Sequence, residues 1–507
     1  MSLNQPNVLF VFSDQHHHRY LSCRDEADAP VRTPTLDGLV ERGTTFEHNY
    51  CPVPLCTPSR LSTLTGKEMA GAGAWGNGSV LFPEHTTLPE AFGEAGYATC
   101  LVGKMHLGGD RQFAGFDDRP YGDLLGMNGH QYEPVSPERR VHGTTGITEY
   151  PESQLQERIV AQESLAWLRE HSVDNPEQPW LLCASVSRPH SPLTAPRRHV
   201  ERYWPDGTPP PVNAADVDTS ETTLSSARSF DDEDRMLRER AHYMACVDFL
   251  DEMLGDFLGS LERAGFLENT IVVYASDHGE MAGEHGLTGK STWHEGATRV
   301  PLVMQLPGQR RGNRDAARID TPVNLIDLYP TLCGLCDVTE PADLDGVDLS
   351  AAVRTGTEPD RGPVFSDYWA DNAPEGCEFR VVRDGRYKYV RFRDESDLLF
   401  DLEADPFETT NLAANPEGEV RSAHERLREL ATESADFDAY AEQKAADAAA
   451  AEGRELGVSK GTAGNAYRLF DDRIVDADSV ITKPEVLVER PANAFDDWPA
   501  DANGTDR

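Results

Sequence analysis

Four short apolar runs, each ending abruptly in polar residues, constrain the sheet this chain can build. Asn7-Val8-Leu9-Phe10-Val11-Phe12 stops at Ser13-Asp14-Gln15, and Thr270-Ile271-Val272-Val273-Tyr274-Ala275 stops at Ser276-Asp277-His278-Gly279. Ala98-Thr99-Cys100-Leu101-Val102 leads into Gly103-Lys104-Met105-His106, and Trp180-Leu181-Leu182-Cys183-Ala184-Ser185-Val186 into Ser187-Arg188-Pro189-His190. Continuous apolar text of this length fits strands covered on both faces, as in a parallel sheet. Ligands of open parallel sheets bind outside the carboxyl ends of the strands. The four polar clusters are therefore expected to meet on one edge, and two of them bring an Asp.

Up to about residue 360, such strands alternate with amphipathic helical stretches. The expected fold is α/β, with a large central, mostly parallel sheet sandwiched by helices. Residues 206–235 interrupt it with Pro209-Pro210-Pro211 and acidic polar text, read as an exposed loop or insertion that shapes the mouth of the site. Thr355 to Pro363 reads as a linker. Residues 379–392 read as two strands around an Asp384-Gly385 turn, and residues 415–454 as Ala/Glu-rich helix. At 507 residues the chain has room for one large core and a smaller unit. The expected division is a large α/β domain at 1–360, a small subdomain of antiparallel sheet plus helix at 364–455, and a partly disordered extension at 456–507, least ordered from Asn493 onward.

Cys56-Thr57-Pro58-Ser59-Arg60 precedes Leu61-Ser62-Thr63-Leu64-Thr65-Gly66-Lys67. Pro58 suits the first turn of a helix and Gly66 the position just past its end. Cys56 then stands at the helix N-terminus, where free N–H groups and the macrodipole favour an anion, with Arg60 one turn in. The alternative is a buried structural thiol before an ordinary helix.

The segment resembles the signature of the cysteine-type sulfatases of the alkaline phosphatase superfamily, and the likeness runs in family order from residue 5 to about 430. It takes in Ser13-Asp14-Gln15, Thr33-Pro34-Thr35-Leu36-Asp37, Gly103-Lys104-x-His106, Pro189-His190, and Ser276-Asp277-His278-Gly279 through Gly283-Glu284-His285-Gly286-Leu287 to Lys290. Arg299-Val300-Pro301-Leu302, Asp327-Leu328-Tyr329-Pro330-Thr331-Leu332 and Leu402-Glu403-Ala404-Asp405-Pro406-x-Glu408-x-x-Asn411-Leu412 extend it.

The resemblance implies a sulfuric ester hydrolase whose Cys56 is oxidised to Cα-formylglycine by a formylglycine-generating or equivalent maturation enzyme. Asp14, Gln15, residue 56, Asp277 and His278 would surround a divalent cation. Oxygen donors favour Ca²⁺, while the imidazole leaves Mn²⁺ or Zn²⁺ open. Lys104, Lys290 and Arg60 would offset charge on the sulfuryl oxygens, and Asn77 would touch the sulfate. His190, with Lys290, would protonate the departing alcohol, and His106 would take the proton that lets sulfate leave. The substrate would be a small-molecule or saccharide sulfate ester, with choline, aryl and sugar sulfates all open. Hydrolysis of phosphodiesters or phosphonate monoesters on the same scaffold is the alternative, against which Lys104-x-His106 speaks. A non-catalytic binding protein with an unoxidised Cys56 is a third reading.

Composition narrows the partners. Asp+Glu total 87 against 47 Lys+Arg, a formal net charge of −40, which repels nucleic acid and anionic membranes. Only seven of those basic residues are lysine, and acid is spread along the whole chain, a composition that resembles proteins of salt-loving archaea. Two of the seven, Lys104 and Lys290, nevertheless fall in the motifs above.

The chain enters its first core strand by residue 7, with no charged-then-apolar segment before it, and no apolar run approaches the roughly 20 residues that span a bilayer. A soluble, cytoplasmic protein is expected, its oligomeric state open. Nine cysteines, an odd number, fit a reducing compartment, and Cys333-x-x-Cys336 fits packing in a core helix better than redox or zinc chemistry. His16-His17-His18 fits a loop better than an extra metal site. Trp75, Trp293, Tyr368 and Trp369 are candidates for the leaving-group pocket or for the core.

Overall fold

The computed structural model describes residues 5–24, 29–109, 111–120, 145–148, 151–214, 228–229, 232–452, 466–468 and 474–476. A seven-stranded sheet crosses the larger part: β1 (Asn7–Asp14), β2 (Thr44–Phe46), β3 (Ala98–Gly103), β4 (Trp180–Pro189), β5 (Thr270–Ser276), β6 (Leu302–Gln305) and β7 (Ala317–Ile319), in the order β7-β2-β6-β5-β1-β4-β3. The four apolar runs are neighbours, and β5, β1, β4 and β3 are mutually parallel. Only β6 runs against its neighbours.

The sheet is apolar on both sides because both sides are covered. Val8, Phe10 and Phe12 of β1 enter one core, while Leu9 and Val11 enter the other. Helices α1 (Pro34–Arg42), α4 (Gln156–Asp174) and α5 (Glu233–Arg263) close the second core through Leu36, Trp167 and Leu254. Helices α2 (Cys56–Thr65), α3 (Leu88–Glu94) and α6 (Leu328–Cys336) close the first through Leu61, Phe92 and Leu332. Cys333 and Cys336 pack in that first core, and all nine cysteines are free thiols. No described helix is long and apolar enough to cross a membrane.

The second unit is a four-stranded antiparallel meander of β8 (Val364–Tyr368), β9 (Phe379–Asp384), β10 (Tyr387–Phe392) and β11 (Leu398–Asp401), followed by α7 (Gly418–Glu433) and α8 (Phe437–Ala451). One face of the meander packs on Leu427 and Ala431 of α7. Phe379, Val381, Val390 and Phe392 on the other face join the first core of the large sheet. Two fully buried cations cross this junction. Lys388 reaches Glu295 at 3.0 Å and Glu408 at 2.7 Å, and Arg380 meets Asp367 at 2.7 Å and Glu68 at 2.8 Å.

One feature differs from the sequence reading. The acidic stretch before residue 235 is not all loop: Arg228–Ser229 pairs with Leu287–Thr288, and α5 starts at Glu233 because the Asp232 side chain accepts the Asp234 N–H. Acidic residues that read as solvated loop are here the first turn of a helix, where the dipole favours them. Residues 215–227 lie outside the described residues, as does the tail from Asn493; within 456–507 only the paired strands Ala466–Arg468 and Ile474–Asp476 are described. For the aromatics, where pocket and core were both open, the structure takes the core. Trp75, Trp293, Tyr368 and Trp369 are each at most 6% exposed and belong to the core. Trp369 sits edge-on to Trp75 and Tyr440, and Trp293 lies between His294 and Phe400.

At the end of β3 the chain turns toward the site at Gly103, whose φ is 96° and whose absent Cβ would fall 2.1 Å from the Ser185 carbonyl oxygen of β4. Both the left-handed backbone and the clash forbid a side chain there. Gly103→Ala is expected to lower unfolding free energy by about 3 kcal/mol, read by chemical denaturation; a change within about 0.5 kcal/mol would contradict this placement.

Candidate active site

The register of the sheet sets the site. Ser13 lies opposite Ser276, so Asp14 and Asp277 leave adjacent parallel strands at the same level. Across the other neighbour, Asp14 aligns with Pro189, which brings His190 beside it, with its N–H on the Asp14 carbonyl at 3.1 Å. Helix α2 delivers residue 56 to this edge. Cys56 is its first residue, Gly66 ends it with a φ of 66° and its N–H on Ser62 O, and every residue between is buried. Asn77 Oδ1 accepts the N–H of Thr57 at 3.2 Å and so caps the first turn of α2.

Cys56 Sγ is the crossing point of the cluster. It lies 3.1 Å from His278 Nε2, 2.9 Å from Lys290 Nζ and 3.8 Å from Asp14 Oδ1, and both His106 and His190 hydrogen-bond it. Lys104 pairs with Asp14 Oδ2. His278 donates through Nδ1 to Gly279 O at 2.9 Å, which leaves Nε2 facing the cluster. The set Asp14, Cys56, Asp277 and His278 is the one group among the described residues whose ligand atoms all lie within 4.8 Å of one another. Two carboxylates, an imidazole and a sulfur fit a divalent cation. Gln15, expected in that set or beside it, follows Asp14, and its Oε1 accepts from Lys290 Nζ at 2.7 Å.

Arg60, expected to offset charge on the sulfuryl oxygens, lies beneath the two carboxylates. Its guanidinium is fully buried and is taken up by Asp277 Oδ2 at 2.7 Å, Asp14 Oδ2 at 3.2 Å, Lys104 O at 2.9 Å and Ser185 Oγ at 3.0 Å, over the ring of Phe12. It holds the two carboxylates; it does not open onto the space they face. The three buried histidines after Asp14 are likewise structural: His16 bonds Tyr274 and Tyr20, His17 bonds Glu284, and His18 stacks on His17.

Charge in the cluster is strongly coupled. Burial opposes ionisation of the Cys56 thiol, but Lys290, Lys104 and His278 outweigh it and hold the thiol well below its usual range. Burial and Cys56 likewise act to raise Asp14, yet Lys104, His190 and Lys290 keep it well below the carboxylate range. Burial, opposed by Arg60 and reinforced by the Asp14 charge, holds Asp277 above that range. His190 is pushed down to about 4 by burial and then by Lys290. Three non-glycine residues here, Gln15, His106 and Ser291, have φ of 69°, 58° and 68°, the kind of local strain that functional sites retain.

One residue of the site has no signature in the sequence. Glu280 is buried and accepts from Gln15 Nε2, Gly289 N, Ala282 N at 3.0 Å and Thr288 Oγ1 at 3.2 Å. A carboxylate only accepts and an ammonium only donates, so Gln15, between Glu280 and Lys290, has a single amide orientation. The chain Glu280, Gln15, Lys290 thus aims an ammonium at residue 56.

Residues 6–338 match the family profile described as Sulfatase, and residues 283–433 the profile described as N-sulphoglucosamine sulphohydrolase, C-terminal. Choline-sulfatase of Rhizobium meliloti (strain 1021) is 31% identical over 450 residues, covering 83% of this chain and 85% of that protein. Arylsulfatase of Clostridium perfringens (strain 13 / Type A) is 27% identical over 453 residues, covering 82% and 92%. Among solved structures, the phosphonate monoester hydrolase of Agrobacterium radiobacter superposes with a TM-score of 0.69 at 23% identity over 87% of this chain and 96% of that one. A protein solved in complex with its substrate D-glucosamine-2-N,6-O-disulfate superposes at 0.70 with 21% identity over 87% and 99%. The two structural neighbours speak for the fold alone. The profile match and the 31% relative, both laid over the strand ends where these side chains meet, show that the chain belongs to the sulfatase family of the alkaline phosphatase superfamily.

Proposed function

We propose that the protein hydrolyses sulfate monoesters to alcohol and inorganic sulfate, with residue 56 matured to Cα-formylglycine and a divalent cation, Ca²⁺ first, held by Asp14, residue 56, Asp277 and His278. The observation that carries this reading is the convergence on Cys56 of Lys290, His106, His190, His278 and Asp14. When present, the cation supplies Lewis-acid polarisation of a sulfuryl oxygen, and the formylglycine supplies an attacking hydroxyl and a second hydroxyl for release of sulfate.

The remaining work falls to encoded side chains. Lys290, with its Nζ 2.9 Å from residue 56, and Lys104, beside Asp14, put two ammonium groups where the oxygens of a bound ester gather negative charge. Arg60 keeps Asp14 and Asp277 together and acts as a positioning residue. His190 is a partly exposed histidine of the cluster and donates a proton to the departing alcohol oxygen. The negative charge of the ester opposes the burial and the Lys290 charge that hold this imidazole low in the free site. His106 accepts a proton at residue 56 on the opposite half-reaction.

The relatives named choline-sulfatase and arylsulfatase support a small-molecule sulfate ester, and the C-terminal profile described as N-sulphoglucosamine sulphohydrolase a saccharide one. Protein produced with a maturation enzyme is expected to carry formylglycine at position 56 by peptide mass spectrometry and to turn over a sulfate monoester in preference to a phosphodiester with the same leaving group. Cys56→Ala is expected to be folded and inactive. Activity retained in that variant would remove the nucleophile assignment, and a reversed preference would hand the site to phosphodiester or phosphonate monoester hydrolysis.

The relay through Glu280 makes a separate prediction. Glu280→Gln is expected to lower kcat roughly 10- to 100-fold with little change in KM, the usual scale for an outer partner of a site residue. Lys290→Ala is expected to cost on the order of 10² to 10³. If Glu280 acts through Lys290, its substitution has little further effect in the Lys290→Ala background; full additivity of the two losses would show that Glu280 acts elsewhere.

The nine free thiols support a reducing compartment. A net charge of −40 with seven lysines supports a solvent of high ionic strength, as in the salt-loving archaea whose proteins this composition resembles. Self-repulsion of that size is relieved by screening, so the thermal midpoint is expected to rise between about 0.1 M and about 3 M KCl. A midpoint that stays flat or falls would count against that setting.

A further inference from the structure

The donor set described above is of mixed chemical kind while residue 56 is still cysteine. His278 Nε2 lies 3.1 Å from Cys56 Sγ, 3.8 Å from Asp14 Oδ1 and 3.7 Å from Asp277 Oδ1, and Cys56 Sγ lies 3.8 Å from Asp14 Oδ1. In a tetrahedron the ligand edge is about 1.6 times the bond length. Bonds of about 2.0 Å to nitrogen and oxygen and about 2.3 Å to sulfur, the zinc values, give edges of roughly 3.3–3.5 Å. These four separations bracket that range, and the two remaining edges lie within 4.8 Å, before any ion has drawn the donors in.

Two further observations point the same way. The Nδ1 of His278 is tied to Gly279 O at 2.9 Å, so Nε2 carries the lone pair that faces the other three donors. Asp277 Oδ1 accepts the N–H groups of Gln15 at 3.0 Å and His278 at 2.9 Å, which fixes the carboxylate plane. Such outer hydrogen bonds orient metal-binding imidazoles and carboxylates. Lys290, 2.9 Å from the sulfur, adds an outer donor to a ligating thiolate. Ca²⁺ takes six to eight oxygen ligands, and a thiolate with an imidazole is a poor substitute for two of them; the same pair suits zinc-class ions.

We propose that the chain as encoded binds a zinc-class cation through Cys56 Sγ with His278, Asp14 and Asp277, and that oxygen in place of sulfur at position 56 turns the same site over to hard cations. The inference rests on the metal site of the proposed function but not on turnover. Residue 56 then sets both the nucleophile and the class of metal. Protein whose Cys56 has not been oxidised would hold the wrong ion as well as the wrong nucleophile.

The test uses the full chain made without a maturation enzyme, stripped of metal and titrated with Co²⁺ as a spectroscopic stand-in for zinc. One equivalent is expected to bind, with a near-ultraviolet thiolate-to-cobalt charge-transfer band and strong visible absorption of tetrahedral cobalt. Zn²⁺ is expected to displace it mole for mole, and Ca²⁺ in about thousandfold excess to leave it in place. Cys56→Ser, shown to be folded by circular dichroism, is expected to lose the charge-transfer band and to bind Zn²⁺ more weakly by over the roughly 100-fold that loss of an outer partner costs, while still binding Ca²⁺. Cys56→Ala serves as the second variant if the serine form does not fold. Cobalt bound without the band, cobalt displaced by Ca²⁺, or equal Zn²⁺ affinity in wild type and variant would overturn this inference alone. No binding of any of the three cations to either form would overturn it together with the metal site of the proposed function.

Discussion

Asp14 and Asp277 end adjacent parallel strands, are fully buried and have carboxylate oxygens within 4.8 Å of each other. At that separation two like charges repel by about 3–4 kcal/mol even at an effective dielectric of 20. The surroundings are arranged around that cost. Arg60 reaches one oxygen of each carboxylate, Lys104 pairs with Asp14, and backbone N–H groups of Gln15 and His278 cover Asp277. Oδ1 of Asp14 and Oδ1 of Asp277 face His278 Nε2 at 3.8 and 3.7 Å, which is where a divalent cation is best placed to neutralise both. Helix α2 is buried along its whole length because it must carry Arg60 beneath the sheet edge and residue 56 onto it.

The same edge shows how topology distributes chemistry. Four strands contribute one cluster each, and the order β5-β1-β4-β3 lines the clusters up side by side. None of these side chains is held by sequence neighbours alone. Arg60 contacts residues 44 and 217 positions away, and Lys290 meets Gln15 across 275. The geometry therefore exists only when the sheet is complete.

This distribution also explains what could be read before the structure. The buried strands declare themselves because their apolar text is continuous, and the site because polar residues follow each run; the α2 boundaries are legible in Cys56, Pro58 and Gly66. Glu280 was silent, since its partners Gln15 and Gly289 are not near it in any local pattern. The sequence also says where Arg60 starts but not that Asp14 and Asp277 consume its donors. Aromatic residues such as Trp75 and Trp369 carry no mark that separates core from pocket, and the first turn of α5 is acidic for the same reason that loops are, so composition misreads it.

Lys388 lies wholly inside the junction between the two sheets, between Glu295 of the large unit and Glu408 of the small one. Removing one partner of such a buried set leaves the others uncompensated, at about 3–5 kcal/mol. Phe379, Val381, Val390 and Phe392 meanwhile complete the first core from the far side. A protein shortened at the linker would thus expose an apolar face and leave Glu295, five residues from Lys290 in the chain, with Arg299 at 3.7 Å but without Lys388. The meander is a wall of the larger unit, and engineering that treats it as a detachable appendage would be cutting into the foundation of the site.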